Sequence, residues 1–276
     1  MRGAASIGYL LARTSDTLAD TVAAEPELRQ QWLGQFGQAV AGIAELPRWP
    51  VSLLNGIRDS RERHLLEGSA ELFTALHELP AGEAALLREV LEIIISGQTL
   101  DLIRFAHASR ENPVALEDDA ALEDYAWRVA GCVGAFWTKL GFLKFGDRFS
   151  KFPEANLLAC GVAYGKGLQL VNILRDIRED LAMGRCYLPV ADPHNPNEIL
   201  ATHARWLEQA AAWVGEGEIY SRTLYSRRLR AASVLPALLA KKTLQPLGEA
   251  TWSALQTRIK VSRWDVYQSL MRAFFW

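Results

Sequence analysis

Apolar residues recur at intervals of three and four along almost the whole chain. No stretch alternates apolar and polar residues with the period of two that a half-buried strand needs. That pattern restricts the chain to helices packed on helices. Helices are expected over about 7–24, from Pro26 onward, and over about 52–78, 81–108, 118–144, 154–183, 197–217, 220–242 and 248–272. Ser6 can cap the first, and Pro26 suits the first position of the second. Pro80-Ala81-Gly82 and Asn112-Pro113 are breaks, and three prolines between Pro189 and Asn197 mark a loop. With 276 residues, half of them hydrophobic, the chain can bury a large core, and one all-α domain spanning 1–276 is expected.

Charge and cysteine usage exclude several classes. The formal net charge is −2 and no block of like charge forms a nucleic-acid tail, so neither DNA nor RNA is an expected partner. Cys132, Cys160 and Cys186 are odd in number, far apart and without metal-ligand spacing, which points to a reduced, cytoplasmic setting. No signal peptide is visible. The most apolar run, Leu91 to Ile95, contains a glutamate and stops at Ser96-Gly97, short of the roughly 20 residues a membrane span needs. The C-terminal Met271-Arg272-Ala273-Phe274-Phe275-Trp276 could touch a membrane surface, although packing on its own domain is the simpler expectation.

Two polar stripes carry the chemistry. Tyr9, Arg13, Asp16 and Asp20 are spaced 4, 3 and 4 and share one helical face. Two carboxylates one turn apart can hold a hard cation, and Mg²⁺ prefers oxygen ligands together with substrate phosphates. A solvated acidic face would have the same spacing. Gln169, Asn172, Asp176 and Asp180, spaced 3, 4 and 4, form a second row. Its flanks, Leu168, Leu170, Val171, Ile173 and Leu174, are apolar, so the row must face something polar. Arg175 lies beside it, at i,i+4 spacing from Glu179, and Arg185 follows Asp180 by five residues. Four aspartates around one cavity would repel a diphosphate unless metal ions intervene, and arginines would supply bidentate contacts to phosphate. The chemistry this suggests is loss of diphosphate to leave an allylic cation in a dry apolar lumen. Gly131 and Gly134 interrupt a helical pattern, which leaves either room for a ligand or tight helix packing. Val129, Cys132 and Phe136 follow Tyr125 at helical spacing and could line a tunnel.

"YLLARTSDTLAD" at 9–20 resembles the first aspartate-rich motif of squalene and phytoene synthases, in a form closest to squalene synthase. "LQLVNILRDIREDLAMGRCYLP" at 168–189 resembles their second motif nearly position for position. "LEDYAWRVAGCVG" at 122–134 resembles the third signature, with weaker echoes in "VLPALLAKKTL" and "RIKVSRWDVY". The resemblance implies an isoprenoid-synthase helical bundle around a central cavity. It implies that Asp16, Asp20, Asp176 and Asp180 bind Mg²⁺ and through it diphosphate. Arg13, Arg175 and Arg185 would contact phosphate, and Gln169 and Asn172 would complete the polar floor. Tyr125 would sit beside the leaving diphosphate and help handle the proton lost in cyclopropane formation, with Tyr9 lining the same site.

The same resemblance implies a lid segment upstream of the first motif. Here Met1 lies only fifteen residues before Asp16, so the chain as given is expected to lack the lid and leave one side of the cavity open. The expected reaction joins two farnesyl diphosphates head to head through presqualene diphosphate. Phytoene synthesis from geranylgeranyl diphosphate is the rival within the class, and a non-catalytic assembly or binding relative is the rival from another class. An ordinary terpene cyclase fits the second and third motifs less well. No dinucleotide fingerprint is present, which leaves NADPH use open; an apolar product leaves peripheral membrane contact open as well, and the oligomeric state is not legible.

Overall fold

A computed structural model describes residues 1–21, 24–257 and 259–276. The chain divides into two compact units, Met1–Ala106 and His107–Trp276. Both are helical, as the periodicity requires. The end of the first expected helix at 22–23, and the point at 258 where the last expected helix and the "RIKVSRWDVY" echo pass, lie outside the described residues.

In the first unit α1 (Arg2–Asp20) packs against α2 (Pro26–Ala41) and α6 (Ala81–Arg104). α1 starts five residues earlier than the Ser6 cap suggests. It is held by fully buried Ala4, Leu11 and Leu18. Thr14, Ser15 and Thr17, also buried, return their hydroxyls to the carbonyls of Leu10, Ala12 and Arg13 at 2.8, 2.8 and 3.0 Å, so no polar group is stranded. The single helix expected over 52–78 is three short ones: α3 (Val51–Gly56), α4 (Ser60–Glu67) and α5 (Ser69–His77). Asp59 explains one break, because its carboxylate caps α4 by accepting from the Arg61 amide at 2.8 Å.

In the second unit α7 (Asp119–Ala126) runs into a π-helical turn, Trp127–Gly131, and continues as α8 (Cys132–Phe145). α9 (Glu154–Arg175) is the central helix, packed by α8, by α11 (Pro196–Thr223) and by α12 (Arg227–Gly248). Between α9 and α11 lies the short α10 (Ile177–Ala182). α13 (Trp252–Leu255) and α14 (Arg263–Phe274) close the unit, replacing the continuous helix expected over 248–272. The break between α11 and α12 falls at 224–226, because the chain there pairs sideways instead of coiling. Lys151 donates to the Thr223 carbonyl at 2.8 Å and Tyr225 to that of Phe149 at 3.2 Å.

One feature had no sequence signal of its own. Val114–Ala115 (β1) and Arg185–Cys186 (β2) form a two-residue parallel ladder, with Val114 opposite Arg185. The turn into β2 requires Gly184, whose φ is +81° and where a Cβ would lie 2.5 Å from the Ser109 amide nitrogen. Among the described residues one helix, Glu154–Arg175, is long and apolar enough to cross a membrane, with a mean hydropathy of 1.4. Half of that window is buried, as its position at the centre of the unit demands.

Candidate functional site

The first polar row stands on α1 within the first unit. The helix puts Tyr9, Arg13, Asp16 and Asp20 on one face, and that face is the open one: Tyr9 is 69% exposed and Asp16 is partly buried. Arg13 is shared between Asp16 and Glu62 of α4, which both accept from its guanidinium. Burial, the Asp20 carboxylate and Glu62 push the Asp16 carboxyl up to about 6, against the pull of Arg13. Glu62 joins this cluster without any motif to announce it, because α4 reaches α1 only through the fold.

The second row belongs to the second unit. The helix expected over 154–183 breaks at Asp176, which has φ −97° and ψ 14°, in the sparsely populated region between helix and strand. Gln169 and Asp180 are half-buried and Asn172 is exposed, so the row lies along the surface of the unit and is not sunk in its core. Arg175 closes on its neighbour Asp176 rather than forming the suspected pair with Glu179. Its Nε donates to Oδ1 at 2.8 Å and its Nη2 to Oδ2. That pairing, with Glu179 and Asp180 nearby, raises the Arg175 pKa. Arg185 is held half-buried by the β1–β2 ladder.

Tyr125, at the end of α7, is buried and stacks on Tyr187, which follows β2, with ring centroids 4.7 Å apart. The π turn begins two residues later. A π turn inserts one extra residue into the helix and re-aims its side chains, and such turns concentrate at functional sites. Here it brings Val129 and Ala130 to the wall of an apolar cavity of about 350 Å³. Gly161, Tyr164, Gly165 and Leu168 of α9 supply the opposite wall, and Trp137, Tyr220 and Pro236 close it.

Gly134 has both of the roles open to it. It lines the cavity, and a Cβ there would lie 1.9 Å from the Gly161 carbonyl oxygen, so the two helices touch backbone to backbone. Phe136 and Cys132 are buried beside this region but do not line the cavity. Tyr164 donates to the Ser233 carbonyl at 2.9 Å, in the stretch where Pro236 interrupts the hydrogen-bond ladder of α12. Tyr220 meets Thr138 at 3.0 Å.

Some contributors had no sequence signal strong enough to select them. Tyr187 and the cavity aromatics Trp137, Tyr164 and Tyr220 read as ordinary helix or loop residues. On α6, Gln98 and Arg104 each bury a polar atom with no hydrogen-bond partner among the described residues, on a helix otherwise rich in isoleucine and leucine. Polar residues six apart in that apolar helix were the available signal.

The residues fit Mg²⁺ by donor chemistry. Asp16 and Asp20 are hard oxygen donors one turn apart, and their mutual repulsion is what a divalent cation would relieve. Among the described residues no three His, Cys, Asp or Glu side chains form a ligand cluster. Mg²⁺ takes one or two carboxylates and completes its shell with water and substrate phosphate. The three thiols are free, and burial raises the pKa of each, that of Cys132 to about 12.

A sequence model of the family described as squalene/phytoene synthase matches residues 1–265. A bifunctional lycopene cyclase/phytoene synthase of Arthroderma gypseum is 31% identical over 66% of this chain and 29% of its own. A presqualene diphosphate synthase of Zymomonas mobilis is 32% identical over 49% of this chain and 44% of its own. The chain thus spans less than half the length of either relative. Among solved structures, the complex of TcSQS with the ligand E5700 aligns with a TM-score of 0.79 at 21% identity, covering 98% of this chain and 78% of that one. At that identity the likeness is one of fold.

Proposed function

Because the chain belongs to the squalene/phytoene synthase family, we propose that it joins two prenyl diphosphates head to head, with farnesyl diphosphate as the substrate and presqualene diphosphate, squalene or a related C30 compound as the product. The observation that carries this reading is the construction of α9. Gly161, Tyr164, Gly165 and Leu168 wall an apolar cavity, and the polar row begins at the very next residue, Gln169. From Leu168 to Asp176 the helix rises about 12 Å. One helix therefore offers an apolar tail site and a polar head site in the order a prenyl diphosphate presents them.

In this reading Asp16, Asp20, Asp176 and Asp180 are the Mg²⁺ ligands, and Mg²⁺ supplies charge neutralisation for the departing diphosphate. Arg13, Arg175 and Arg185 bind phosphate oxygens, which requires Arg175 to exchange Asp176 for substrate. Gln169 and Asn172 orient the head group. The cavity keeps water from the cation left when the carbon–oxygen bond breaks and diphosphate takes the electron pair. Tyr125, fixed by its stack on Tyr187, holds its hydroxyl where the proton leaving the cyclopropane carbon is passed on.

Incubating the protein with farnesyl or geranylgeranyl diphosphate and Mg²⁺, with and without NADPH, tests the reading by product analysis. The expected result is a coupled C30 product from the C15 substrate. Coupling of geranylgeranyl diphosphate instead would favour the phytoene reading, which the Arthroderma gypseum relative supports. No turnover would favour a non-catalytic relative, whereas prenyl alcohol alone would mean that ionisation proceeds without coupling.

A further inference from the structure

α14 (Arg263–Phe274) is turned the opposite way from an ordinary surface helix, which buries its bulky apolar residues. Its buried positions are the small Ser269 and Ala273, one turn apart, and Ala273 seats against Val234 and Leu238 of α12. Its large residues point outward. Trp264, Tyr267, Met271 and Phe274, spaced 3, 4 and 3, form one stripe, and Phe275 extends it; all five are between 61% and 70% exposed. The C-terminal segment therefore does not simply pack on its own unit, as the simpler reading of the sequence holds. It uses its small residues to dock and keeps its apolar bulk in the open.

The rim of this stripe is basic. Arg227 donates to the Phe274 carbonyl at 3.2 Å, and its guanidinium lies 5.3 Å from the Phe274 ring centroid. Arg272 and Arg222 lie 5.5 and 4.9 Å from the Trp276 ring. Arg228, next to Arg227 in sequence, and Arg263, at the start of α14, are also exposed. The nearby carboxylates are engaged: Asp265 with Lys242 at 3.0 Å and with Ser262, Glu218 with Lys241 at 2.7 Å.

We propose that this face binds the surface of an anionic phospholipid bilayer, with α14 lying in the plane of the interface. Exposed tryptophan, tyrosine, phenylalanine and methionine on one stripe match the boundary between headgroups and acyl chains. Arginines along the rim reach lipid phosphates. Charge decides against a second copy of the chain. A two-fold contact through this face would bring Arg227 and Arg272 against an equally basic rim whose described neighbours Asp265 and Glu218 are already paired with lysines.

The test is vesicle flotation of the whole chain, without prenyl substrate, so that its outcome is independent of the proposed catalysis. Phosphatidylcholine vesicles are compared with phosphatidylcholine/phosphatidylglycerol vesicles at low and high salt. The protein should float with the anionic vesicles and be released by salt. Arg227→Gln/Arg272→Gln should lower the partition coefficient about fivefold for each arginine removed. Phe274→Ser/Phe275→Ser should lower it about tenfold or more. Helical circular dichroism should be retained by both variants, and melting should stay unchanged in Phe274→Ser/Phe275→Ser, whose side chains are exposed. The proposal is overturned if the chain stays unbound by anionic vesicles at low salt, or if binding survives both double substitutions. It is equally overturned if the chain is a dimer that Phe274→Ser/Phe275→Ser dissociates.

Discussion

The ring of Tyr125 stacks on that of Tyr187, with centroids 4.7 Å apart and planes inclined by 19°. The stack places the ring, and Tyr125→Phe preserves it while removing the hydroxyl. In that variant the coupling rate should fall about 100-fold or more through loss of the proton-handling group. Tyr187→Leu should lower the rate less and shift the melting temperature as well. Steady-state kinetics and calorimetry on both variants check the pair. A fully active Tyr125→Phe protein would remove Tyr125 from the proposed mechanism.

Asp16→Asn and Asp176→Asn should each remove most activity and raise the Mg²⁺ concentration needed for half-maximal rate, with the helical signal retained. For Asp16 a stability effect follows as well. Its carboxyl is pushed up to about 6 in the folded protein. The folded state therefore binds the proton more tightly than the unfolded chain. The resulting stabilisation is complete below the ordinary carboxyl pKa near 4 and is lost as pH rises through about 6. In chelator-treated protein above pH 6, Asp16→Asn should therefore raise the melting temperature.

His203 of α11 works in the other direction. It is buried, with Nε2 3.3 Å from the Leu174 carbonyl, and burial lowers its pKa from 6.5. The unfolded chain gains the proton first. Stability should fall as pH drops through about 6.5 and go on falling until the folded protein also titrates. Denaturant titrations between neutral pH and mild acid should show this slope in the native protein and a flatter one in His203→Gln.

Trp137 closes the apolar cavity at the α8 end. Trp137→Ala should admit a longer tail and raise kcat/KM for geranylgeranyl over farnesyl diphosphate about tenfold relative to the native protein. Competition between the two substrates measures the ratio. An unchanged ratio would mean that Trp137 does not limit tail length.

Gly134→Ala is the packing counterpart. Its Cβ would fall 1.9 Å from the Gly161 carbonyl oxygen, which is backbone and cannot rotate away. The substitution should cost about 3 kcal/mol and lower the melting temperature by several degrees.

Much of this was legible in the linear pattern. The 3.6-residue period made the fold all-α, and the spacings of Tyr9–Asp20 and of Gln169–Asn172–Asp176 set each row on one face of its helix. Those are properties of a single helix, where side-chain direction follows from residue number. The same reasoning joined what the fold separates. It ran one helix through Asp176 and another through Trp127–Gly131, because a helix break or a π turn costs little locally and is selected by the packing around it. Asn172 lies at the surface, while its flanks Leu170, Val171, Ile173 and Leu174 are buried.

The sequence by itself determined family, fold class and the two polar rows, since motif and period are local. Only tertiary structure decided that Glu62 shares Arg13 with Asp16, that Tyr187 meets Tyr125, and that Trp137 and Tyr220 close a cavity against Gly161 and Gly165. Each of these joins residues far apart along the chain, and their closure entropy is offset only by the packing of the whole unit. The outward stripe of α14 belongs with them. The period of its apolar residues is legible in one dimension, but which side of the helix docks depends on the shape of α12, which accepts Ser269 and Ala273 and leaves the larger residues outside.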